Sequence, residues 1–235
     1  MPHHILAEPG DVAPVAILVG DPGRATQIST LLQSARRYNE HRGLLGYTGL
    51  FEGARISAQT TGMGGPSAAI VLEELAQLGV RTVIRAGTCG AIGKHVGVLD
   101  LVVATAAVPV DGTTRQYLNS DPFAPVADFA VTTALVEAAA ASGRPSHTGL
   151  LVSEDAFYRQ ADDWQRWRER GALAVEMEAS TVFTVALLRG LRAGCVCLVV
   201  NDTSHPGTWH PADTRREAED ALVRVALQAA KHLAA

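Results

Sequence analysis

Two glutamates, Glu176 and Glu178, flank a methionine inside the apolar segment Ala174–Ala179. Carboxylates in an apolar run are costly for a soluble core, because a buried charge without a partner destabilises the fold. A ligand rich in hydroxyl groups, such as a ribose, is one partner that would compensate for two carboxylates. The alternative is structural, since the helix dipole favours glutamates at a helix start and a helix beginning at Glu176 would explain them equally well.

Two further segments combine glycine and arginine at the ends of predicted strands, Gly20–Arg24 and Arg85–Thr88. Glycine lets backbone N–H groups approach an anion closely, and a guanidinium matches the geometry of a phosphate group. The two segments therefore predict a phosphate site. The alternatives are that Arg24 is a surface arginine and that Arg85, inside an apolar strand, belongs to a buried ion pair.

Composition excludes several classes of function. The chain has 235 residues, 47% of them hydrophobic and 19% charged, with a net charge of −4. These values suit one α/β domain over residues 1–235. Because the sequence has no long basic run and no long apolar run, we expect neither nucleic acid nor a membrane as a partner. Three cysteines without a framework spacing, and an N-terminus without signal-peptide features, predict a cytoplasmic protein. The histidines lack ligand spacing, so no metal site is expected.

Apolar runs and turn residues predict alternating strands and helices. The predicted strands are Val15–Val19, Arg55–Thr61, Thr82–Ala86, Asp100–Val108, Gly149–Val152 and Gly194–Val200. Helices are predicted from about Ala25, after Pro66 through Leu78, over Ala127–Ser142, over Glu176–Arg189, and from Thr214 with Glu217 completing a capping box. Residues 109–126 are expected to be irregular. The alternation indicates a layered α/β fold.

Three of the predicted strands end in glycine-rich turns, at residues 20–23, 62–65 and 87–90. In open α/β sheets, ligands bind outside the carboxyl ends of the strands, so the three turns are expected to converge on one site. The spacing of a Walker loop is absent, and residues 62–65 lack the spacing and the acidic residue of a dinucleotide fingerprint.

Six motifs occur in order along the chain: Gly20-Asp-Pro-x-Arg24, Arg42-Gly-x-x-Gly-x-Thr-Gly49, Gly62-Met-Gly-x-Pro-Ser67, Arg85-x-Gly-Thr-x-Gly90, Val175-Glu-Met-Glu178 and Asn201-Asp202. From His4 to the last helix, the chain resembles the hexameric, bacterial-type purine nucleoside phosphorylases and the related uridine phosphorylases. The resemblance implies a single-domain, three-layer α/β/α fold with a central mixed, partly barrel-like sheet. It also implies phosphorolysis, in which orthophosphate converts a nucleoside to free base and ribose 1-phosphate without a cofactor.

The resemblance also implies roles for individual residues in phosphate and sugar binding. Orthophosphate would be held by Gly20, Arg24, Arg85 and Thr88. Two residues would act across a dimer interface of a hexamer built as a trimer of dimers: Arg42 would complete the phosphate site, and His4 would reach the sugar 5′-hydroxyl. The alternative for His4 is a disordered terminal histidine.

On the nucleoside side, Glu178 would accept hydrogen bonds from both ribose hydroxyls, which fixes the orientation of a diol well. The remaining nucleoside contacts implied by the resemblance are Met177 on the sugar face, Phe157 against the base, and Val175 and Glu176 beside them. Glu176 borders the base or orients the helix start. Core packing is the alternative for Phe157 and the favoured interpretation for Tyr158.

Cleavage of the glycosidic bond pushes electrons onto the base, and an acid near purine N7 would relieve this charge. Asp202, at the carboxyl edge of the predicted sheet, matches the catalytic aspartate of the purine family, and Arg215 matches the arginine that assists proton transfer. A cation such as Arg215 is disfavoured in the first turn of a helix, which supports a role other than helix stabilisation. The alternative is an exposed arginine.

Three alternative functions remain open. Uridine phosphorylases share Asn201-x-Thr203 but carry an arginine at the position of Asp202, and their inserted uracil-reading segment is shorter here, where Arg159 and Gln160 do not match its spacing. We therefore favour a purine substrate. A nucleosidase would not need Arg24, Arg42 and Arg85 together. A binding protein without turnover would need neither these arginines nor Asp202.

Overall fold

A computed structural model of the protein describes residues 2–158, 164–204 and 212–234. The strands are β1 Val15–Val19, β2 Gln33–Asn39, β3 Gly46–Phe51, β4 Ala54–Thr60, β5 Thr82–Ala91, β6 Leu101–Pro109, β7 Ser146–Ser153, β8 Ala174–Glu176 and β9 Arg192–Asp202. The α-helices are α1 Pro22–Leu31, α2 Gly65–Gln77, α3 Gly112–Tyr117, α4 Phe129–Ala141, α5 Gln165–Glu169, α6 Ala179–Leu188 and α7 Ala212–Ala234. No helix in these ranges is long and apolar enough to cross a membrane.

The strands form one mixed sheet in the order β2-β3-β4-β1-β5-β8-β7-β6-β9, and β9 pairs with β5 as well. This second pairing closes β5, β8, β7, β6 and β9 into a barrel, while β2, β3, β4 and β1 extend from it. Strands β1 and β4 are parallel to each other, and β5 is parallel to both β1 and β9. Their carboxyl ends therefore lie along one edge, which is where the predicted ligand site should lie.

Helices cover both faces of the sheet. Strand β1 is buried along its whole length, so alternate residues serve opposite faces. Ala16 and Leu18 pack in one apolar cluster with residues of α2 and α6. Val15, Ile17 and Val19 pack in a second cluster with residues of α1, α4 and α7. The three-layer α/β/α architecture with a partly barrel-like sheet is confirmed.

The structure corrects several element boundaries. Residues Ala174–Glu176 form strand β8, so the helix predicted to begin at Glu176 begins at Ala179. Helix α7 begins at Ala212, which places Thr214 inside the first turn and rules it out as the cap of a capping box. Residues 109–126 are not wholly irregular, because they contain α3. Strands β2 and β3 were not predicted, and β2 is largely exposed.

Candidate active site

A buried arginine and two buried glutamates form the centre of the site. Arg85 lies in the middle of β5, and its Nε is 2.8 Å from Glu176 Oε2. Its Nη2 contacts Glu178 Oε2. All three side chains are at least nine-tenths buried. The buried ion pair considered for Arg85 is therefore present, and its partners are the two glutamates whose burial required compensation.

Glu176 also holds the start of α6. Its carboxylate accepts hydrogen bonds from the backbone N–H groups of Glu178 at 2.8 Å and of Ala179 at 2.9 and 3.0 Å. The hydroxyl of Ser153 donates to it at 2.5 Å. Burial, together with repulsion from Glu178, raises the pKa of Glu176 to about 7 against the opposing effect of Arg85. Glu176 thus orients the helix start, which is one of its two predicted roles.

The first two predicted glycine-rich turns lie beside this centre. The third, residues 87–90, is not a turn, because strand β5 continues through it to Ala91. Gly20 lies so close to the second turn that a Cβ at residue 20 would be 3.2 Å from the carbonyl oxygen of Gly62. Gly64, with φ of +86°, donates its backbone N–H to Glu178 Oε1 at 2.6 Å. Glu178 in turn contacts Arg85, two residues before Gly87 on β5. The structure thus brings the first two glycine-rich segments together beside β5, and the prediction that residues 87–90 form a turn is wrong.

Arg24 lies in the first turn of α1, where the carboxylate of Asp21 accepts the backbone N–H of Gly23 at 2.8 Å. Burial lowers the pKa of Arg24, the charge of Arg85 lowers it further, and Glu219 and Asp21 oppose the shift. The repulsion from Arg85 means that the two guanidinium groups lie close enough for their charges to interact. Arg24 follows the carboxyl end of β1, where a guanidinium can bind an anion.

Thr88 follows Gly87 on β5 and is half-buried. Arg42 lies in a short 3-10 helix, His41–Gly43, and its side chain is exposed. Its φ of +56° is in the left-handed region, which costs energy for a residue with a Cβ. The structure thus brings Arg24 within electrostatic range of Arg85 and presents Arg42 at the surface.

Asp202 is the last residue of β9, beside the end of β5. Its neighbour Asn201 pairs with Gly90, and Asp202 itself pairs with Ala91. Gly90 also pairs with Val175 of β8 on the other side of β5. Strands β9 and β8 therefore flank β5. Strand β9 ends in Asp202, and β8 leads to Glu178.

Arg215 lies on α7 with its Nε 3.6 Å from Glu219 Oε1. That Nε is buried and has no hydrogen-bond partner among the described residues. Glu219 therefore lies near two arginines of the predicted site, Arg215 and Arg24. Sequence analysis did not identify Glu219, because only the fold brings the start of α7 beside α1.

His4 is ordered and held by Glu74 of α2, a residue that sequence analysis also missed. The ring Nδ1 of His4 is 2.8 Å from Glu74 Oε1, and the backbone N–H groups of residues 3, 4 and 5 donate to the same carboxylate. Although burial raises it, these hydrogen bonds lower the pKa of Glu74 to about 2. The disordered-terminus alternative for His4 is wrong in the structure.

The aromatic pair before the gap at residues 159–163 is exposed. Phe157 is 54% exposed and Tyr158 is 95% exposed, and their rings make an edge contact at 5.1 Å. The core packing favoured for Tyr158 is therefore wrong. Val175 and Met177 are half-buried next to the two glutamates. Arg159 and Gln160 lie outside the described residues.

Comparison with known proteins gives matches over most of the chain. Residues 14–231 match the family model of the Phosphorylase superfamily. The chain is 41% identical to a "Purine nucleoside phosphorylase DeoD-type" of Geobacillus kaustophilus, with 97% of each chain covered. It is 42% identical to a "Guanosine phosphorylase" of Halorubrum lacusprofundi, covering 83% of this chain and 81% of the relative. It is also 42% identical to a "Uridine phosphorylase" of Thermococcus kodakarensis, and the match covers 85% of this chain and 76% of the relative.

Proposed function

Because the chain belongs to the phosphorylase superfamily and its relatives are nucleoside phosphorylases, we propose that this nucleoside phosphorylase acts on purine nucleosides. Orthophosphate is the co-substrate, and no cofactor takes part. Asp202 is the general acid that protonates the leaving base at N7, and Arg215 assists this transfer. The supporting observation is the position of Asp202, a carboxylic acid at the end of β9 beside the end of β5.

The phosphate end of the site is formed by the cationic groups. Arg24 and Arg85, with the backbone at Gly20 and the hydroxyl of Thr88, bind the dianion and hold it for attack on the anomeric carbon. A dianion there stabilises the positive charge that develops on the sugar as the glycosidic bond breaks. The burial of Arg24, which lowers its pKa, supports this assignment, because a bound dianion would stabilise the buried charge.

The sugar lies between phosphate and base. Glu178, already oriented by Gly64 N–H and Arg85, accepts hydrogen bonds from both ribose hydroxyls. Met177 packs against the sugar face and Val175 borders the same space. Phe157, which exposes about half of its side chain, supplies apolar area to the base.

The active unit is at least a dimer, and a hexamer is the proposed assembly. His4 and Arg42 complete the site of a neighbouring subunit. Support comes from large apolar side chains that the single chain leaves exposed, such as Leu6 at 61%, Met63 at 81% and Phe129 at 86%. A fully active monomer in sedimentation analysis combined with activity assays would contradict this proposal.

A substrate panel tests the function directly. Base release from inosine, adenosine and uridine is measured with and without phosphate, and release from the purine nucleosides that requires phosphate is expected. Asp202→Ala should lower kcat on purine nucleosides by about 10²-fold. A preference for uridine would replace the purine assignment with the uridine alternative, which one relative at 42% identity supports. Release without phosphate, or binding without release, would contradict phosphorolysis.

A further inference from the structure

The segment that carries Asp202 is attached to the end of β5 by hydrogen bonds. The backbone N–H and the hydroxyl of Thr203 donate to the carbonyl oxygen of Ala91 at 3.1 and 2.6 Å. Ser204, the next residue, donates its backbone N–H to Asp202 Oδ1 at 2.8 Å. Ser204 is exposed, so these bonds rather than burial in the core hold the end of the segment.

Arg168 connects this segment to Ile92, the residue that follows β5. It lies on α5, which follows the segment containing Phe157, and its side chain is half-buried. Its Nε donates to the carbonyl oxygen of Ile92 at 2.7 Å, and its Nη2 donates to the hydroxyl of Ser204 at 2.7 Å. A guanidinium is rigid and planar, so two such bonds fix the distance between their acceptors.

We infer that Arg168 is a positioning residue for Asp202. The inference rests on the proposed role of Asp202 as the acid. Ser204 links the two residues, because its hydroxyl accepts from Arg168 while its N–H donates to the Asp202 carboxylate. Without Arg168, Ser204 has more freedom, and the orientation of the Asp202 carboxyl towards the base is less defined. Misplacement of a reacting group by about 1 Å can cost 10²-fold in rate.

The chemistry of the leaving base separates this role from simple structural support. With inosine, the proton of the Asp202 carboxyl moves to N7 while the electrons of the glycosidic bond move into the ring. In N7-methylguanosine, N7 carries a methyl group and the ring is already cationic, so the base leaves without that proton. A residue that acts only by positioning the acid should therefore matter for inosine and not for N7-methylguanosine.

The test compares kcat of Arg168→Ala on the two nucleosides at saturating phosphate. We expect kcat on inosine to fall about tenfold or more, an unchanged kcat on N7-methylguanosine, and an unchanged KM for phosphate. The matched control is Arg166→Ala. Arg166 lies on the same helix and is exposed, and its Cζ is 5.0 Å from the centroid of the Trp167 ring. The control loses the same charge and should keep wild-type rates on both substrates.

Ser204→Ala removes the same link and leaves Arg168 in place, so it tests the inference even if Arg168→Ala does not fold. We expect the same selective loss on inosine, and the double variant should lose no more than either single variant. Equal losses on both nucleosides, or additive losses in the double variant, would overturn the inference. Failure of the proposed function gives a different result. If Asp202 is not the acid, Asp202→Ala changes kcat on inosine and on N7-methylguanosine by the same factor.

Discussion

The guanidinium of Arg85 lies directly over Gly87 of the same strand. A Cβ at residue 87 would be 2.7 Å from Nη2 and 2.9 Å from Cζ of Arg85. Only glycine leaves this space, so the residue two positions along β5 permits the orientation in which Arg85 meets Glu176 and Glu178. The glycine of this motif thus provides the space that the Arg85 guanidinium occupies.

Gly87→Ala should displace the Arg85 guanidinium from its position between the two glutamates. We expect KM for phosphate to rise about tenfold or more, because a small displacement of a binding group has a large effect. Steady-state kinetics at varied phosphate measure this. Gly112→Ala is the control, since its nearest contact would be an ordinary 3.5 Å to Asp155. An unchanged phosphate KM in Gly87→Ala would contradict the role given to Arg85.

Arg85→Ala and Arg85→Lys should differ in stability. The alanine variant leaves Glu176 and Glu178 buried without their cation, which typically costs about 3–5 kcal/mol. The lysine variant keeps the charge but loses the planar fork, so it should fold and bind phosphate more weakly. Urea unfolding and phosphate kinetics measure the two effects. Equal stability of the two variants would mean that the buried ion pairs do not stabilise the fold.

The raised pKa of Glu176 predicts a specific pH dependence of stability. Its folded pKa of about 7 lies above its ordinary value of 4.5, so the folded protein holds this proton more tightly than the unfolded chain. The resulting stabilisation is complete below pH 4.5 and is lost as the pH rises through 7, a change on the order of 3 kcal/mol. Glu176→Gln should flatten the curve of unfolding free energy between pH 5 and 8. If the unfolding free energies of Glu176→Gln and of the wild type change with pH in parallel, the raised pKa of Glu176 is contradicted.

Glu219→Gln should strengthen phosphate binding. The carboxylate of Glu219 interacts with Arg24, so it competes with an incoming anion for that guanidinium. Its removal should lower KM for phosphate by about fivefold, corresponding to about 1 kcal/mol at a partly solvated site. Glu217→Gln, on the same helix and 93% exposed in its side chain, is the control. A weaker affinity for phosphate in Glu219→Gln would show that Glu219 supports the site instead of competing with it.

The long buried strands could be predicted from the sequence, because a short continuous apolar run between turn residues is typical of a strand that is covered on both faces. Strand β1 was predicted with its observed bounds, and α2 ends beside Gly79 as expected. Strand β2 was missed because its residues are mostly polar and exposed, so no apolar alternation marks it. No sequence pattern predicts β8, and only its last residue, Glu176, falls in the predicted helix, because the strand has three residues and depends on pairing with β5 and β7.

The candidate site was predicted in its parts but not in its connections. The cost of burying Arg85, Glu176 and Glu178 is readable from their apolar neighbours, yet nothing in the spacing indicates that the three residues compensate one another. Contacts such as His4 with Glu74, or Ser204 with Arg168, join residues far apart in the chain and follow only from the packed fold. The exposure of Tyr158 likewise depends on what surrounds it, which a local pattern does not contain.

Strand β5 runs between the two ends of the proposed site, and its backbone therefore sets the spacing of the residues at those ends. The guanidinium of Arg85 reaches residue 87, and Gly90 pairs with Asn201 beside Asp202. Three residues of strand span about 10 Å. This backbone spacing is a property of the main chain, whereas the distance between the functional groups also depends on contacts such as those of Arg85 with Gly87 and of Arg168 with Ser204.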